Sequence, residues 1–420
     1  MLSLVICPKV ADKSKYNQRT SESKTEEFLE LSKAIDIIRV ESVMTLKINK
    51  IHAGTYFGSG KIIEFKSIID SLKIKLVLID TKLSPMQQRN LEKELKVKIL
   101  DRTGLILEIF GDRAQTREGV LQVDLAHLEY QRTRLVRSWT HLERQRGGIG
   151  FMGGPGETQI ESDRRGIAEK IQRIKKLLDK VINTRRLHRS NRKKNDIPII
   201  ALVGYTNAGK SSIFNYLTNS NELEKDMLFA TLDPKMSVFN LTGYEKVILL
   251  DTVGFISDLP THLISAFRAT LEEVINANLI LHVRDIAHQE SQQQAIDVEN
   301  TLERLEWGLS IRPQVIEVYN KIDKLSELRL RELRASVGNS QEAILLSSLK
   351  GIGFEYLQNK IVQVLSDGKK FEEVFLKFSE SKRRSWLFNN KLITNEKIVN
   401  EGFLLKVCWS ENQKSQFLKV

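Results

Sequence analysis

The stretch GYTNAGKSS, Gly204 to Ser212, has the spacing G-x-x-x-x-G-K-S and follows the apolar run IPIIALVG. Residues of these types at this spacing bind phosphate when a strand precedes them and a helix, here IFNYL, follows. Gly204 and Gly209 let the backbone of Tyr205, Thr206, Asn207 and Ala208 turn its N–H groups inward. Lys210 reaches the β and γ oxygens, the Ser211 hydroxyl is suited to Mg²⁺, and the Ser212 hydroxyl is left for the α-phosphate. A second Gly-Lys pair in GTYFGSGKI, Gly54 to Ile62, is one residue too long and has Ile62 where the metal-binding hydroxyl belongs, so it reads as a structural turn.

The remaining parts of a guanine-nucleotide switch follow in order. The strand KVILL leads into DTVG, where Asp251 would hold the metal, Thr252 and Val253 continue the turn, and the Gly254 N–H would meet a γ-phosphate. Upstream, FATLDP (Phe229, Ala230, Thr231, Leu232, Asp233 and Pro234) offers Thr231 as a second metal ligand on a loop ordered by the triphosphate. Ser211, Thr231 and Asp251 form the expected metal set; Lys210, Thr231 and Gly254 form the expected catalytic set. The strand VIEVY ends in Asn320, Lys321, Ile322 and Asp323. The Asp323 carboxylate can accept from guanine N1–H and its exocyclic amine, two donors that adenine lacks on that edge. Ser347, Ser348 and Leu349, in AILLSSLKG, are suited to backing the base. GTP and GDP with Mg²⁺ are the expected ligands.

The chain has 420 residues with 41% hydrophobic and 28% charged, values of a globular rather than a disordered protein. Cys7 and Cys408 stand near opposite ends and have no metal-ligand spacing. No apolar run approaches membrane length, so a cytoplasmic protein without stable membrane insertion is expected. The net charge is +12, and residues 164–194 carry +11 of it, with thirteen Lys and Arg against Glu169 and Asp179. Such a concentrated excess calls for a polyanion.

Within that basic segment Ile167, Ile171, Ile174, Leu178 and Val181 recur at helical steps, as do Leu121, Leu125, Leu128, Leu135, Trp139 and Leu142 upstream. Two seams joined by a short loop predict an antiparallel helical hairpin. Its tip is the glycine-rich stretch from Gly147 to Gly156, which costs more conformational entropy to order than a plain helix connection requires. With Phe151 and Met152 it suits insertion into folded RNA rather than reading of a DNA groove.

The chain resembles the HflX family of ribosome-associated GTPases through DRTGLILEIF, LQVDLAHLEY, GGIGFMGGPGETQIESDRR, GYTNAGKSS, FATLDP, DTVGFI and NKID. The resemblance implies binding to the large ribosomal subunit with the arm's loop near the peptidyl-transferase region, and splitting of stalled ribosomes under stress. It also implies, for some members, ATP-linked RNA remodelling. The sequence departs from the pattern at Ser212, where threonine is usual, at Ser348, where alanine is common, and at Arg284, where an apolar residue is expected. Phe255 stands where Ras-like enzymes carry the glutamine that orients the attacking water, so unassisted turnover is expected on the order of 10⁻⁴ per second.

The expected fold is α/β: a P-loop GTPase domain at 196–368, an N-terminal α/β domain at 1–118, an antiparallel helical hairpin arm at 119–195 and a small C-terminal α+β unit at 369–420. A monomer that binds rRNA through the arm and its Gly147 to Gly156 tip, and not DNA, is expected. Two other readings stay open: an ATP- or GTP-dependent rRNA remodelling factor, and a GTP switch with a protein partner. The basic triplet Lys382, Arg383 and Arg384 reads equally as an RNA contact or a solvated face.

Overall fold

The computed structural model describes all residues except 11–19, 139–154, 195–196, 221–226, 230–231, 242–243, 258–272, 305–312, 341–342, 367–369, 391, 400, 410 and 419–420. The chain packs as two units, one of residues 1–183, 225–233 and 254–269, the other of 184–224, 234–253 and 270–420.

The first unit is built on a four-stranded parallel sheet of order β2-β1-β3-β4, from β1 (Leu2–Val10), β2 (Arg39–Ile48), β3 (Leu76–Ile79) and β4 (Lys98–Asp101). The helices between them are α1 (Ser21–Lys33), α2 (Ser59–Leu72) and α3 (Pro85–Leu95), followed by α4 (Arg102–Arg113). Every residue of β3 is buried, as a strand covered by helices on both faces requires. Local chemistry sets the helix starts. Ser84 and Gln87 form a reciprocal capping box with Pro85 in the first turn of α3, and the Asp101 carboxylate caps α4 by accepting from Gly104 N at 2.8 Å. The GTYFGSGKI segment is a turn closed by a His52–Tyr56 bridge that runs directly into α2.

Asp101 is fully buried yet saturated: it also accepts from Leu83 N at 3.1 Å, Tyr130 Oη at 2.7 Å and Arg134 Nη2 at 2.9 Å. Burial first, and then the Asp101 charge, hold the Tyr130 phenol protonated far above its ordinary range. Beside this cluster Arg102 pairs with Glu27 and, at 2.8 Å, with Asp80. Burial above all pushes the neighbouring Cys7 thiol up to about 12, and neither Cys7 nor Cys408 is in a disulfide.

The hairpin helices are α5 (Arg117–Ser138) and α6 (Pro155–Lys194). Much of the predicted seam is there: Leu125, Ile171 and Leu178 are buried together, with Leu121, Leu128, Ile167 and Ile174 packed against them, while Leu135 and Val181 stand outside that cluster and Trp139 and Leu142 lie outside the described residues. Lys175 of α6 pairs with Glu129 of α5 at 3.3 Å. The tip residues 147–154 lie outside the described residues.

The second unit holds a six-stranded sheet of order β10-β9-β8-β5-β7-β6, parallel except for the edge pair β6-β7. Its strands are β5 (Ile199–Gly204), β6 (Lys235–Leu241), β7 (Tyr244–Asp251), β8 (Leu279–Asp285), β9 (Gln314–Asn320) and β10 (Ala343–Leu345). The helices are α7 (Lys210–Thr218), α8 (Ser291–Arg304), α9 (Glu327–Ser340) and α10 (Phe354–Ser366). One sheet face packs Leu202, Leu249, Leu281 and Val283 against Ile213, Phe214, Phe354 and Leu357. Past it, β11 (Lys370–Lys377), α11 (Ser381–Asn389), β12 (Ile393–Val399), β13 (Gly402–Trp409) and α12 (Glu411–Phe417) make an antiparallel sheet of order β11-β13-β12 with its own small core around Leu387, Leu405 and Phe417. Arg384 pairs there with Glu396 at 2.8 Å and Arg383 with Glu380 at 3.2 Å, which draws two of the three basic triplet residues into ion pairs.

The Arg102 pairs set a stability prediction. The side chains of Glu27 and Asp80 are only 10% and 12% exposed, so Arg102→Met strands two carboxylates with no guanidinium. The expected loss is about 3–5 kcal/mol, read as faster hydrogen exchange across β1, β3 and β4. Adding Glu27→Gln is expected to recover part of it.

Candidate functional site

The parallel strands β5, β7, β8 and β9 deliver the sequence-predicted residues to their carboxyl ends, where an open α/β sheet binds ligands. Gly204 ends β5 and Lys210 begins α7, so residues 205–209 turn over a helix N-terminus. Neither glycine has room for a side chain. A Cβ on Gly204 would lie 2.1 Å from the Val283 carbonyl oxygen, and one on Gly209, whose φ is +92°, would lie 2.2 Å from Asn320 Nδ2.

Lys210 is 6% exposed and donates to the carbonyls of Gly204 at 3.2 Å and Tyr205 at 2.8 Å. Burial pushes its ammonium down to about 8; the nearby Lys321 adds to the lowering and Asp251 opposes it. Ser211 Oγ donates to Asp251 Oδ2 at 2.8 Å, which brings two of the three expected metal residues together. A hydroxyl and a carboxylate make an all-oxygen donor pair of the kind Mg²⁺ prefers, so these residues fit that ion. Thr252 turns its hydroxyl inward to the Leu202 carbonyl at 2.7 Å and thus locks the end of β7 to β5.

The Asn320 side chain joins three segments. Its Nδ2 donates to the Ala208 carbonyl at 2.9 Å and to Ser348 Oγ at 3.1 Å, and its Oδ1 accepts from Ser348 N at 3.0 Å. Lys321 adopts a left-handed conformation, with φ 64°, and pairs with Asp285 at 2.9 Å. Ser347 Oγ donates to Asp323 Oδ1 and accepts from Lys350 N at 3.2 Å, which fixes the Asp323 carboxylate. Ile322 is buried beneath the loop, whereas Leu349 is 83% exposed. The sequence reading missed Asp285; its signal was its place at the end of β8, beside the predicted NKID loop.

Ala230 and Thr231 lie outside the described residues. Phe229, Asp233 and Gly254 belong by packing to the first unit. There Phe229 stacks edge-on against Phe110 with ring centroids 4.7 Å apart. Asp233 accepts from Gln115 N at 2.9 Å and Thr116 N at 2.8 Å, and from the Thr116 hydroxyl. Leu232 is buried. Beyond Gly254, Ser257 Oγ accepts from Arg102 at 2.9 Å and donates to Glu27 at 2.8 Å. Phe255 is 3% exposed, a buried ring with no polar atom to offer a water.

Arg284, an apolar position by expectation, is explained by its neighbours. It donates to Glu317 Oε2 at 3.0 Å and Gln292 Oε1 at 2.9 Å and lies over the Tyr319 ring at 5.0 Å. Burial works against the Glu317 charge, but the contacts with His282 and Arg284 outweigh it and hold the carboxyl below its ordinary range.

The strand order and the Lys210, Asp251 and Asn320 constellation define a P-loop GTPase, a GTP hydrolase. Residues 22–111, 113–192 and 199–321 match the family models described as GTP-binding GTPase N-terminal, GTP-binding GTPase Middle Region and 50S ribosome-binding GTPase. The chain is 46% identical over 344 residues to GTPase HflX of Magnetococcus marinus, spanning 79% of this chain and 78% of that protein. It is 40% identical over 351 residues to GTPase HflX of Escherichia coli, spanning 84% and 81%. A putative GTP-binding protein 6 of Xenopus laevis is 34% identical over 84% of this chain and 66% of its own length. Among solved structures, a complex of SsGBP with GDP aligns over 87% of this chain and 98% of that chain at 26% identity, with a TM-score of 0.48. The chain belongs to the HflX family of GTPases and carries that family's ribosome-binding GTPase domain.

The role expected of Lys210 on the phosphates depends on its cation, whose proton is held only to about pH 8. GDP affinity measured by calorimetry is therefore expected to be flat from pH 6.5 to 7.5 and to fall above pH 8, by at most about tenfold per pH unit.

Proposed function

We propose that this GTPase docks on the large ribosomal subunit through the α5–α6 hairpin, that docking accelerates its GTP hydrolysis, and that it thereby splits or rescues stalled ribosomes in the cytoplasm. The observation that carries this reading is the hairpin itself: an apolar seam from Leu121 to Leu178 stiffens a helix whose residues 164–194 hold thirteen basic side chains and two acidic ones. A stiff cationic rod suits the phosphate backbone of folded rRNA. A GTP switch with only a protein partner would leave that charge without a counterpart.

In this reading the P-loop from Gly204 to Ser212 holds the triphosphate, with Lys210 on the β and γ oxygens. Ser211, Thr231 and Asp251 would hold Mg²⁺, which when bound neutralises charge developing between the β- and γ-phosphates. The Gly254 N–H donates to the γ-phosphate and Asp323 selects guanine, with Asn320 and Ser348 keeping the base loop against the P-loop. A buried Phe255 supplies no water-positioning group, so the ordering of the attacking water falls to the ribosome.

GTP turnover with and without purified large subunits tests the reading, in parallel with a variant that shortens Gly147 to Gly156. Stimulation of at least about a hundredfold, lost in the shortened variant, is expected. Equal turnover with and without subunits would overturn it. Sucrose-gradient profiles of intact ribosomes incubated with the protein and GTP report splitting directly. Base selection has its own check. Asp323→Asn replaces a double acceptor with a group that also donates, so GTP is expected to bind at least about tenfold more weakly and xanthosine triphosphate more tightly.

A further inference from the structure

Lys321 belongs to the NKID loop, yet what fixes it stands on the neighbouring strand. Asp285 ends β8 directly opposite Asn320, the last residue of β9. Its Oδ1 accepts from Ala287 N at 3.0 Å, and its Oδ2 accepts from the Lys321 ammonium at 2.9 Å. The first bond aims the carboxylate and the second uses it. Ile286 N donates to the Asn320 carbonyl at 3.2 Å, so the backbone beyond Asp285 is tied to the same loop. Lys321 Nζ also stands 3.5 Å from Oδ1 of Asn207, in the P-loop.

The Lys321 and Asp285 side chains are 17% and 16% exposed, so little water screens their attraction. Lys321 and Asn207 are both left-handed, with φ of 64° and 59°. Such backbone persists in residues other than glycine when its surroundings over-determine it, and here two such turns meet at one ammonium. A free lysine ranges over many rotamers and gives them up when a ligand arrives. An ammonium tethered between Asp285 and Asn207 has given them up beforehand, and its four-carbon stem becomes a fixed apolar wall at the base loop.

We propose that Asp285 is a positioning residue for nucleotide retention: by pinning Lys321 it slows the release of GDP and GTP without touching either. The proposal rests on the reading of Asn320 to Asp323 as the base loop. The two carboxylates then divide the work. Asp323 reads the edge of the base, where donors differ between guanine and other purines. The Lys321 stem has no donor or acceptor and packs on the face of any purine, so Asp285 sets how long the base stays and not which base it is.

The test is GDP release from the full chain, followed by stopped-flow displacement of a ribose-labelled fluorescent GDP. Asp285→Asn keeps an oxygen for Ala287 N but turns an amide NH₂ toward Lys321, so the end of β8 stays supported while the pairing is lost. Release is expected to quicken by at least about tenfold, with association changed by less than about threefold. Two readouts separate positioning from mere support. In a Lys321→Met background, which has a stem but no ammonium, Asp285→Asn is expected to add nothing, the outcome of a double-mutant cycle between coupled residues. The preference for GDP over IDP is expected to stay the same, because inosine differs from guanosine only at the edge. Unchanged release in Asp285→Asn, an equal acceleration in the Lys321→Met background, or a shifted preference between GDP and IDP overturns the proposal. A wild-type chain that holds ADP as tightly as GDP overturns the base-loop reading together with it.

Discussion

The side-chain amide of Asn320 is the contact on which the site's geometry depends. One planar group spans the P-loop at Ala208 and the loop at Ser348, and its own backbone ends β9. The amide fits only because Gly209 has no Cβ, since 2.2 Å of separation leaves no room for one. The P-loop and the NKID loop are therefore set in one register by a single hydrogen-bonded group, which is fully buried and so shielded from competing water.

A second constraint is electrostatic. Lys210 and Lys321 are cations close enough to lower the Lys210 pKa, and each is balanced by a carboxylate, Asp251 for one and Asp285 for the other. The burial that makes Lys210 costly to charge also strengthens its attraction for any nearby anion, because little water screens it. The first unit uses a related device in Arg102, which satisfies Glu27, Asp80 and Ser257 together. Ser257 stands two residues beyond Phe255, so the segment that follows DTVG is held by buried, charge-assisted hydrogen bonds in that unit.

Local chemistry was legible wherever neighbours along the chain decide the outcome. The P-loop spacing, the NKID loop and the Leu and Ile steps of the hairpin each follow from a short stretch of chain. The reading fell short where partners lie far apart in sequence. Arg284 made no sense alone and becomes intelligible only when β8 and β9 pair His282 with Glu317 and Arg284 with Tyr319. Asp285 carries no motif of its own and acquires its role from standing beside Lys321.

By itself, then, the sequence determined the P-loop GTPase class, the parallel sheet that presents its loops and the basic hairpin, because phosphate loops, helical seams and charge runs are written in contiguous residues. The tertiary structure alone decided what those residues lean on. It placed Phe229 and Asp233 against Phe110 and Thr116, Ser257 against Arg102, and Glu299 beside His282. These pairings join residues from 17 to more than 150 positions apart when strands, helices and loops are packed. No periodicity or motif encodes them, since their energy comes from burial and from matching donors to acceptors, which exist only once the chain has folded.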